Sequence, residues 1–182
     1  MSQDPKEGIN ATQGLRNGAI GASLLATACS QLASRLLQIL TSPQQVAEIA
    51  RMGESDPITG GTSMASPQLK VALALGCLLL CILCLAQYVR FSMHLVFLIR
   101  VIAEDPQGSR HLRPLLHAMV KRTGIYFAIG IRLIALFMPL IMWLAGVTAL
   151  FVTSVCIVFF LSVMDHVPMD PNTPHPLEPN SE

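Results

Sequence analysis

The sequence predicts an all-α fold: a polytopic membrane helical bundle of four transmembrane helices, with a basic amphipathic helix in the cytosol or at the membrane interface. Composition is the first reason, because 52% of the 182 residues are hydrophobic and 13% are charged, against about 25% charged in soluble domains. The second reason is that the apolar residues form long runs, and a spanning helix needs about 20 residues. These features disfavour a soluble binding protein, and the net charge of +1 gives no reason to expect nucleic acid as a partner.

The chain divides into three parts by composition. Residues 1–16 are a polar N-terminal segment, and residues 17–167 are predicted to form a single membrane domain. Residues 168–182 contain five prolines and three acidic residues. Such a segment cannot bury enough apolar surface to fold, so we expect a disordered tail.

The first predicted span, residues 17–40, is the least apolar. It carries a polar stripe at helical spacing, formed by Thr27, Gln31, Ser34, Arg35 and Gln38. A ladder of small residues also recurs at every fourth position: Gly14, Gly18, Ala22, Ala26, Ser30 and Ser34. Small residues let membrane helices approach closely, so we favour a helix packed inside the bundle with its stripe turned away from lipid. In the alternative, Gln31 and Arg35 line a polar pathway.

The second span covers residues 69–89 and follows a polar connection. In that connection, Ser42 and Pro43 predict the start of a short helix. Residues 71–89 would extend about 28 Å, close to the hydrocarbon thickness of about 30 Å. Gln87, Arg90 and His94 share one helix face, and by this length they mark where the helix leaves the hydrocarbon. An amphipathic continuation is then expected as far as residue 105.

Residues 110–124 are basic and amphipathic, which predicts a helix at the headgroups or in the cytosol. The 40 residues from 125 to 164 would extend about 60 Å as one straight helix. We therefore expect them to fold back near Trp143 and Gly146, giving spans over 125–144 and 147–164. A single tilted helix with a trailing re-entrant piece is the alternative. Arg132 lies two turns into the third span, where its long side chain can snorkel to the basic side.

Orientation follows from the distribution of basic residues. The connection of residues 90–132 holds seven of the twelve, namely Arg90, Arg100, Arg110, Arg113, Lys121, Arg122 and Arg132. The positive-inside rule places this connection on the cytosolic, stromal or matrix side. With four spans, both termini lie on that side too. The connection is also a candidate surface for anionic lipid.

The five cysteines lie in apolar segments. Cys77, Cys81 and Cys84 include a CxxC spacing, which raises a metal or redox interpretation, but no histidine joins them at ligand spacing. Small polarizable thiols are common packing residues. We therefore expect no metal and no cofactor.

Four blocks of the sequence resemble domain-of-unknown-function family 599, which comprises small multi-pass membrane proteins of plants and bacteria. The blocks are "INATQGLRNGAIGASLLAT", "QYVRFSMHLVFLI", "GIRLIALFMPLIMWLAG" and "FFLSVMD", over residues 9–167. The residues that carry the resemblance are Leu15, Arg16, Asn17, Gly21, Ala26, Thr27, Arg90, Phe91, His94, Gly130, Arg132, Pro139, Leu140, Trp143, Gly146 and Asp165.

This chain departs from the family pattern in three places. The family has an additional hydrophobic helix before the first block, which this chain is expected to lack. Met93 and Ile131 stand where the family often has asparagine. The resemblance implies a membrane protein and supplies no reaction.

We therefore predict a non-enzymatic membrane protein that acts as a scaffold or component of a complex, as a homo- or hetero-oligomer. The alternative is an oligomeric transporter or channel with a polar path along Gln31, Arg35, Gln87 and Arg90. An intramembrane enzyme is disfavoured because the last three spans carry no convergent set of ionisable groups, so no catalytic residue is expected. The candidate polar residues are Arg16, Asn17, Gln31, Arg35, Gln87, Arg90, His94, Arg132 and Asp165, with Asp165 expected to pair with Arg132 or Arg90.

Overall fold

The computed structural model describes residues 5–54, 65–105 and 108–165. The described chain is all-helical, as predicted. Its helices are α1 (Pro5–Thr41), α2 (Pro43–Glu54), α3 (Pro67–Glu104), α4 (Arg113–Ala145) and α5 (Val147–Asp165), with a 3₁₀ turn over Gly108–Leu112 before α4.

Three of these helices are long and apolar enough to cross a bilayer: α1, α3 and α4. The 38 residues of α3 extend about 57 Å, which is well beyond a hydrocarbon core of about 30 Å. The helix therefore continues past Arg90 without a break, as the amphipathic pattern predicted. Together the three helices make the chain an integral membrane protein.

The α3 helix lies between α1 and α4 and packs against both. On one side, the Cys29 and Cys81 sulfur atoms are 3.9 Å apart, and Gly18 faces Tyr88. On the other side, the Cys77 thiol donates to the Leu133 carbonyl at 3.5 Å. Residue numbers rise along α3 as they fall along each neighbour, so both pairs of helices are antiparallel.

The buried face of α3 has a regular spacing. Its residues alternate in steps of three and four: Val71, Ala74, Leu78, Cys81, Leu85, Tyr88, Ser92 and Leu95. That 3.5-residue period is the signature of coiled-coil packing, in which one seam keeps facing its neighbours. The facing seam of α1 repeats in the same steps with smaller residues: Ala19, Ala22, Ala26, Cys29, Ala33 and Leu36.

The small-residue ladder of α1 follows this seam only in part. Ala22 is fully buried, whereas Ser30 and Ser34 are exposed. A four-residue ladder turns by about 40° per step around a helix of 3.6 residues per turn. It therefore leaves the buried face, and the seam is continued by residues in 3.5-residue spacing instead.

The region predicted as a separate basic helix followed by a span is one continuous helix. Residues 113–124 form the first turns of α4, which runs on to Ala145 with Pro139 inside it. No strong helix breaker separates the basic turns from the apolar ones, because a glycine such as Gly124 costs an isolated helix only about 1 kcal/mol. A boundary in composition is thus not a boundary in backbone structure.

The predicted break in "WLAGV" is confirmed. Gly146 ends α4 with an extended backbone, and its N–H donates to the Met142 carbonyl at 3.3 Å. The next helix, α5, begins at Val147 and packs against α4. None of the α5 side chains that the structure describes is buried.

The end of the bundle where α1 and α4 finish is closed by α2 and by a buried lysine. The α2 helix starts at Pro43, as predicted, and touches α1, α3 and α4. Lys70 is buried, and its Nζ donates to the Trp143 carbonyl at 3.4 Å and lies 5.4 Å from the centre of the Trp143 ring. Because this carbonyl belongs to the last turn of α4, the ammonium also meets the negative end of the helix dipole.

Candidate functional site

The opposite end of the bundle is basic. We define the basic end as the start of α1, the end of α3 and the start of α4. The close approach of Tyr88 to Gly18 places Arg16 and Arg90 at nearly the same level along the bundle. The exposed basic and histidine side chains at or beyond that level are Arg16, Arg90, His94, Arg100, His111, Arg113, His117, Lys121 and Arg122, and Asn17 is exposed beside them.

Two acidic side chains also lie at this end of the bundle, and the carboxylate of one of them is hydrogen-bonded to a backbone N–H. Asp105 accepts a hydrogen bond from the Gly108 N–H at 2.9 Å and so fixes the turn into α4. Glu104, beside it at the end of α3, is exposed. In the part of the chain that the structure describes, nine basic or histidine side chains therefore lie with two acidic ones at this end.

An open groove runs between α1 and α3 at the basic end. It has a volume of about 560 Å³ and is lined by α1 residues between Thr12 and Thr27 and by α3 residues between Val89 and Val96. Most of the lining is aliphatic. The hydroxyls of Ser23 and Thr27 are engaged with α1 itself, because they donate to the carbonyls of Ala19 and Ser23 at 2.8 and 2.9 Å.

A close contact between α1 and α3 beside the groove depends on a glycine. A side chain at Gly18 would overlap the Tyr88 hydroxyl, so only glycine accommodates the tyrosine at its present distance. The Tyr88 ring also meets Phe127 of α4, with ring centres 4.9 Å apart. Tyr88, next to the groove-lining Val89, therefore contacts both of the other long helices.

Ser92 lines the same groove and differs from the other hydroxyls. The residue is 1% exposed, and its Oγ has no hydrogen-bond partner among the residues that the structure describes. Buried polar groups are normally bonded, and an unsatisfied one costs about 1 to 3 kcal/mol. A buried hydroxyl without a partner on a groove wall therefore requires an explanation, and a ligand in the groove is one. Sequence reasoning missed it, since nothing in the sequence distinguishes Ser92 from the paired serines.

The polar face that the sequence singled out on α3 points elsewhere. Gln87 is half-buried, whereas Arg90 and His94 are exposed. By helical periodicity these residues lie opposite the buried seam, and so face away from both α1 and α4. They do not line the groove, and the exit from the hydrocarbon at their level stays a prediction.

The polar stripe of α1, which we call the α1 polar face, consists of Thr27, Gln31, Ser34, Arg35 and Gln38. All five side chains are exposed. An Arg35 guanidinium nitrogen donates to the Gln38 side-chain oxygen at 3.4 Å. We expected this stripe to turn into the bundle, but within one chain the seam of alanines and Cys29 occupies that position. The α1 polar face is thus left uncovered.

The polar path is not assembled within one chain. Counting from the Cys29–Cys81 contact, Arg35 and Arg90 lie about 22 Å apart along the bundle. They also lie on outward faces of different helices. Gln31 and Arg35 therefore do not come together with Gln87 and Arg90.

Arg132 lies deeper than the sequence suggested. The Cys81 thiol donates to the Gly130 carbonyl at 3.4 Å, which aligns this part of α4 with the middle of residues 71–89. Arg132 is then about 13 Å from the level of Arg90, near mid-depth, and its side chain is exposed. The Asp165 side chain lies outside the described residues, so its pairing with Arg132 or Arg90 stays a prediction.

The cysteines make packing contacts. Cys29 and Cys81 are buried against each other, and the thiols of Cys77 and Cys81 donate to carbonyls of α4. Across the described residues, no group of three or more histidine, cysteine or acidic side chains is placed to hold a metal ion.

Fold and surface together define the class of the protein as an integral membrane protein built on an antiparallel three-helix unit. The chain belongs to the family described as "Protein of unknown function, DUF599", whose model matches residues 1–169. No curated protein and no solved structure matches the chain. Of the residues that carry the resemblance, Arg16 and Arg90 lie at the basic end, and Gly130 and Gly146 take part in helix packing and in the α4–α5 break.

Proposed function

We propose that the protein is a non-enzymatic, four-span membrane component that associates with other membrane helices through the α1 polar face. The observation that carries this proposal is the exposure of Gln31 and Arg35 on a helix of spanning length. In hydrocarbon, an amide or guanidinium without a partner is costly, and such residues commonly face another helix. Arg35 has one partner, Gln38 on the same helix, and a second helix on this face would supply hydrogen-bond partners for Gln31 and for the other N–H groups of Arg35.

The small side chains on the same face support close approach. Ser30 and Ser34 donate their own hydroxyls to α1 carbonyls at 2.8 and 3.0 Å, so they add little polarity to a neighbour. A glutamine amide both donates and accepts. Gln31 can therefore pair with Gln31 of a second copy across a two-fold axis, which makes a homo-oligomer the first form to test.

A fourth span completes the proposed topology. The 19 residues of α5 extend about 28 Å, enough for a membrane crossing. Both termini and the basic end then lie on the cytosolic, stromal or matrix side. Protease protection of tags at the two termini, in sealed vesicles, tests this arrangement. Four spans predict that both tags are digested from the same side, and digestion from opposite sides would contradict it.

The absence of enzymatic activity is part of the proposal. It is supported by the composition of the spans, since residues 12–41, 71–89, 125–145 and 147–163 contain no acidic residue and no histidine. General acid–base chemistry usually uses these side chains. The proposal is therefore an assembly role, with the bilayer and neighbouring helices as partners.

Substitution of Gln31 tests the assembly role. We expect Gln31→Leu to lower the association constant of the detergent-solubilised oligomer by about threefold, the mean effect of an interhelical hydrogen bond in a membrane. Sedimentation or native mass spectrometry measures it. Gln44→Leu is the matched control, because Gln44 is also exposed but lies in α2, outside the spans. Equal association constants for the two variants would overturn the proposal.

An oligomeric transporter or channel is the second candidate function. It is supported by the exposed position of Arg132 near mid-depth, together with the uncovered Gln31 and Arg35. Because the polar path is not assembled in one chain, this function requires several copies. Ion flux through proteoliposomes containing the purified oligomer tests it, and flux that Gln31→Leu leaves unchanged would contradict a path along this face.

A further inference from the structure

We propose that the groove between α1 and α3 is a binding site for one anionic phospholipid of the bilayer. This site shares Thr27 with the α1 polar face that serves the proposed assembly, but it extends from there toward the basic end and contains neither Gln31 nor Arg35.

The groove has the length and lining that an acyl chain needs. From Thr12 to Thr27 it extends about 22 Å along α1. It begins about 6 Å beyond the level of Arg16 and Arg90, where α3 is expected to leave the hydrocarbon, and runs about 16 Å inward from that level. Ile20 and Leu24 are 52% and 67% exposed along it, so an apolar chain can lie against them from the lipid side. The volume of about 560 Å³ is in the usual range of about 300 to 1,000 Å³ for sites of small ligands.

The charge of the groove favours an anionic headgroup. Arg16 is its only charged lining residue in the described part of the chain, and it is exposed at the outer end. A guanidinium presents several N–H donors in a planar fork that fits phosphate oxygens. The surrounding basic end adds long-range attraction for the same sign of charge.

Ser92 supplies the second recognition group. In the antiparallel register set by Gly18 and Tyr88, Ser92 lies within about 3 Å of the level of Arg16. Its buried hydroxyl oxygen has no hydrogen-bond partner within the described ranges of the chain. A phospholipid carries phosphate and ester oxygens next to each other at the top of its chains, so one molecule can meet Arg16 and Ser92 while its chain fills the aliphatic part.

These groups select a lipid over the other possible occupants of an apolar groove. A partner helix fits only if it carries an acidic side chain at the level of Arg16, and a free phosphate would leave the aliphatic wall uncovered. The groove also opens at the side of the bundle, between two spanning helices. A bilayer lipid can therefore enter laterally.

Native mass spectrometry of the full chain tests the proposal. The protein is purified in mild detergent and mixed with equal amounts of phosphatidylglycerol and phosphatidylcholine of identical acyl chains. We expect one tightly retained phosphatidylglycerol per chain, preferred over phosphatidylcholine by about fivefold, as one basic residue near an anionic headgroup provides. Arg16→Gln should abolish the preference, and Ile20→Trp, which fills the groove, should abolish retention of both lipids.

Arg113→Gln is the matched control for charge, because Arg113 is exposed at the basic end and does not line the groove. It should retain the wild-type preference. If Arg113→Gln lowers the preference as much as Arg16→Gln does, binding is spread over the basic surface and the groove proposal is overturned. Retention of phosphatidylglycerol by Ile20→Trp at the wild-type level would overturn it too, and Leu24→Trp repeats this test if the first variant does not fold.

Ser92→Ala separates a ligand contact from a packing defect. With no ligand, removal of an unsatisfied hydroxyl leaves the thermal midpoint unchanged or raised, with or without added lipid. With the proposed ligand, phosphatidylglycerol retention falls about threefold or more, the effect of one lost hydrogen bond. The stabilisation that this lipid gives to the wild type also becomes smaller. Unchanged retention in Ser92→Ala would overturn the role of Ser92.

Discussion

The α3 helix packs against α4 with large side chains and against α1 with small ones. Toward α4, large side chains meet backbone and rings: Leu85 lies against Gly130, and the Phe91 and Tyr126 rings stack with centres 5.5 Å apart. Toward α1, the contact is made by small side chains such as Ala22 and Ala74, both fully buried. The α4 side is closed by bulky residues, whereas the α1 side brings two helices close and leaves the groove beside their contact.

This difference indicates where stability and function reside. Thiol hydrogen bonds to α4 carbonyls and aromatic contacts fix the α3–α4 pair, and they leave no buried polar atom unpaired on that side among the described residues. The α1–α3 pair holds the unpaired Ser92 hydroxyl, and α1 carries the uncovered polar face. We therefore expect substitutions toward α4 to change stability, and substitutions on α1 to change binding and assembly.

The largest loss of stability is expected from a substitution at Gly130. A Cβ there would lie 2.9 Å from one Leu85 methyl carbon and 3.2 Å from its branch carbon, and overpacking of this kind costs about 1 to 3 kcal/mol. Gly130→Ala should therefore lower the thermal midpoint of the purified protein, measured by circular dichroism. Gly76→Ala is the control, because nothing lies within 4 Å of its Cβ position, and it should be neutral or stabilising. Similar midpoints for the two variants would argue against a closed α3–α4 contact.

A smaller loss of stability is expected from a substitution at Gly18, on the α1 side of α3. Its Cβ would meet the Tyr88 hydroxyl, which is the end of a side chain that can shift. Gly18→Ala should cost about 1 kcal/mol, the lower end of the overpacking range, and Tyr88→Phe should recover most of that loss. A double-mutant cycle on the same thermal assay measures the coupling. Additive effects of the two substitutions would show that Tyr88 does not touch Gly18.

Much of the architecture was predictable from length and hydropathy. Residues 71–89 match the bilayer thickness and predict an exit from the hydrocarbon at Arg90, which stays a prediction. The 40 mostly apolar residues from 125 to 164 exceed one crossing, and this correctly predicted the break at Gly146. The start of α2 at Pro43 followed from capping chemistry. Each of these predictions depends on local sequence alone.

What could not be predicted depends on how helices meet. The continuity of α4 was missed because a change from basic to apolar residues alters the surroundings of a helix without breaking its hydrogen bonds. The small-residue ladder of α1 overlaps its 3.5-residue seam at Ala22 and Ala26, and the sequence alone does not decide which of the two patterns packs. The groove depends on the register between α1 and α3. The same register leaves the Ser92 hydroxyl without a hydrogen-bond partner among the described residues.

That register is the central claim, since the groove, the level of Arg16 and the outward direction of the α1 polar face all depend on it. Oxidative cross-linking tests it directly in a variant that keeps only two thiols, with Cys77, Cys84 and Cys156 each changed to alanine. The Cys29 and Cys81 sulfur atoms are 3.9 Å apart, so mild copper-catalysed oxidation should give an intrachain disulfide between them, identified by mass spectrometry of the linked peptides. Two thiols that stay free, or that link only between chains, would contradict the account.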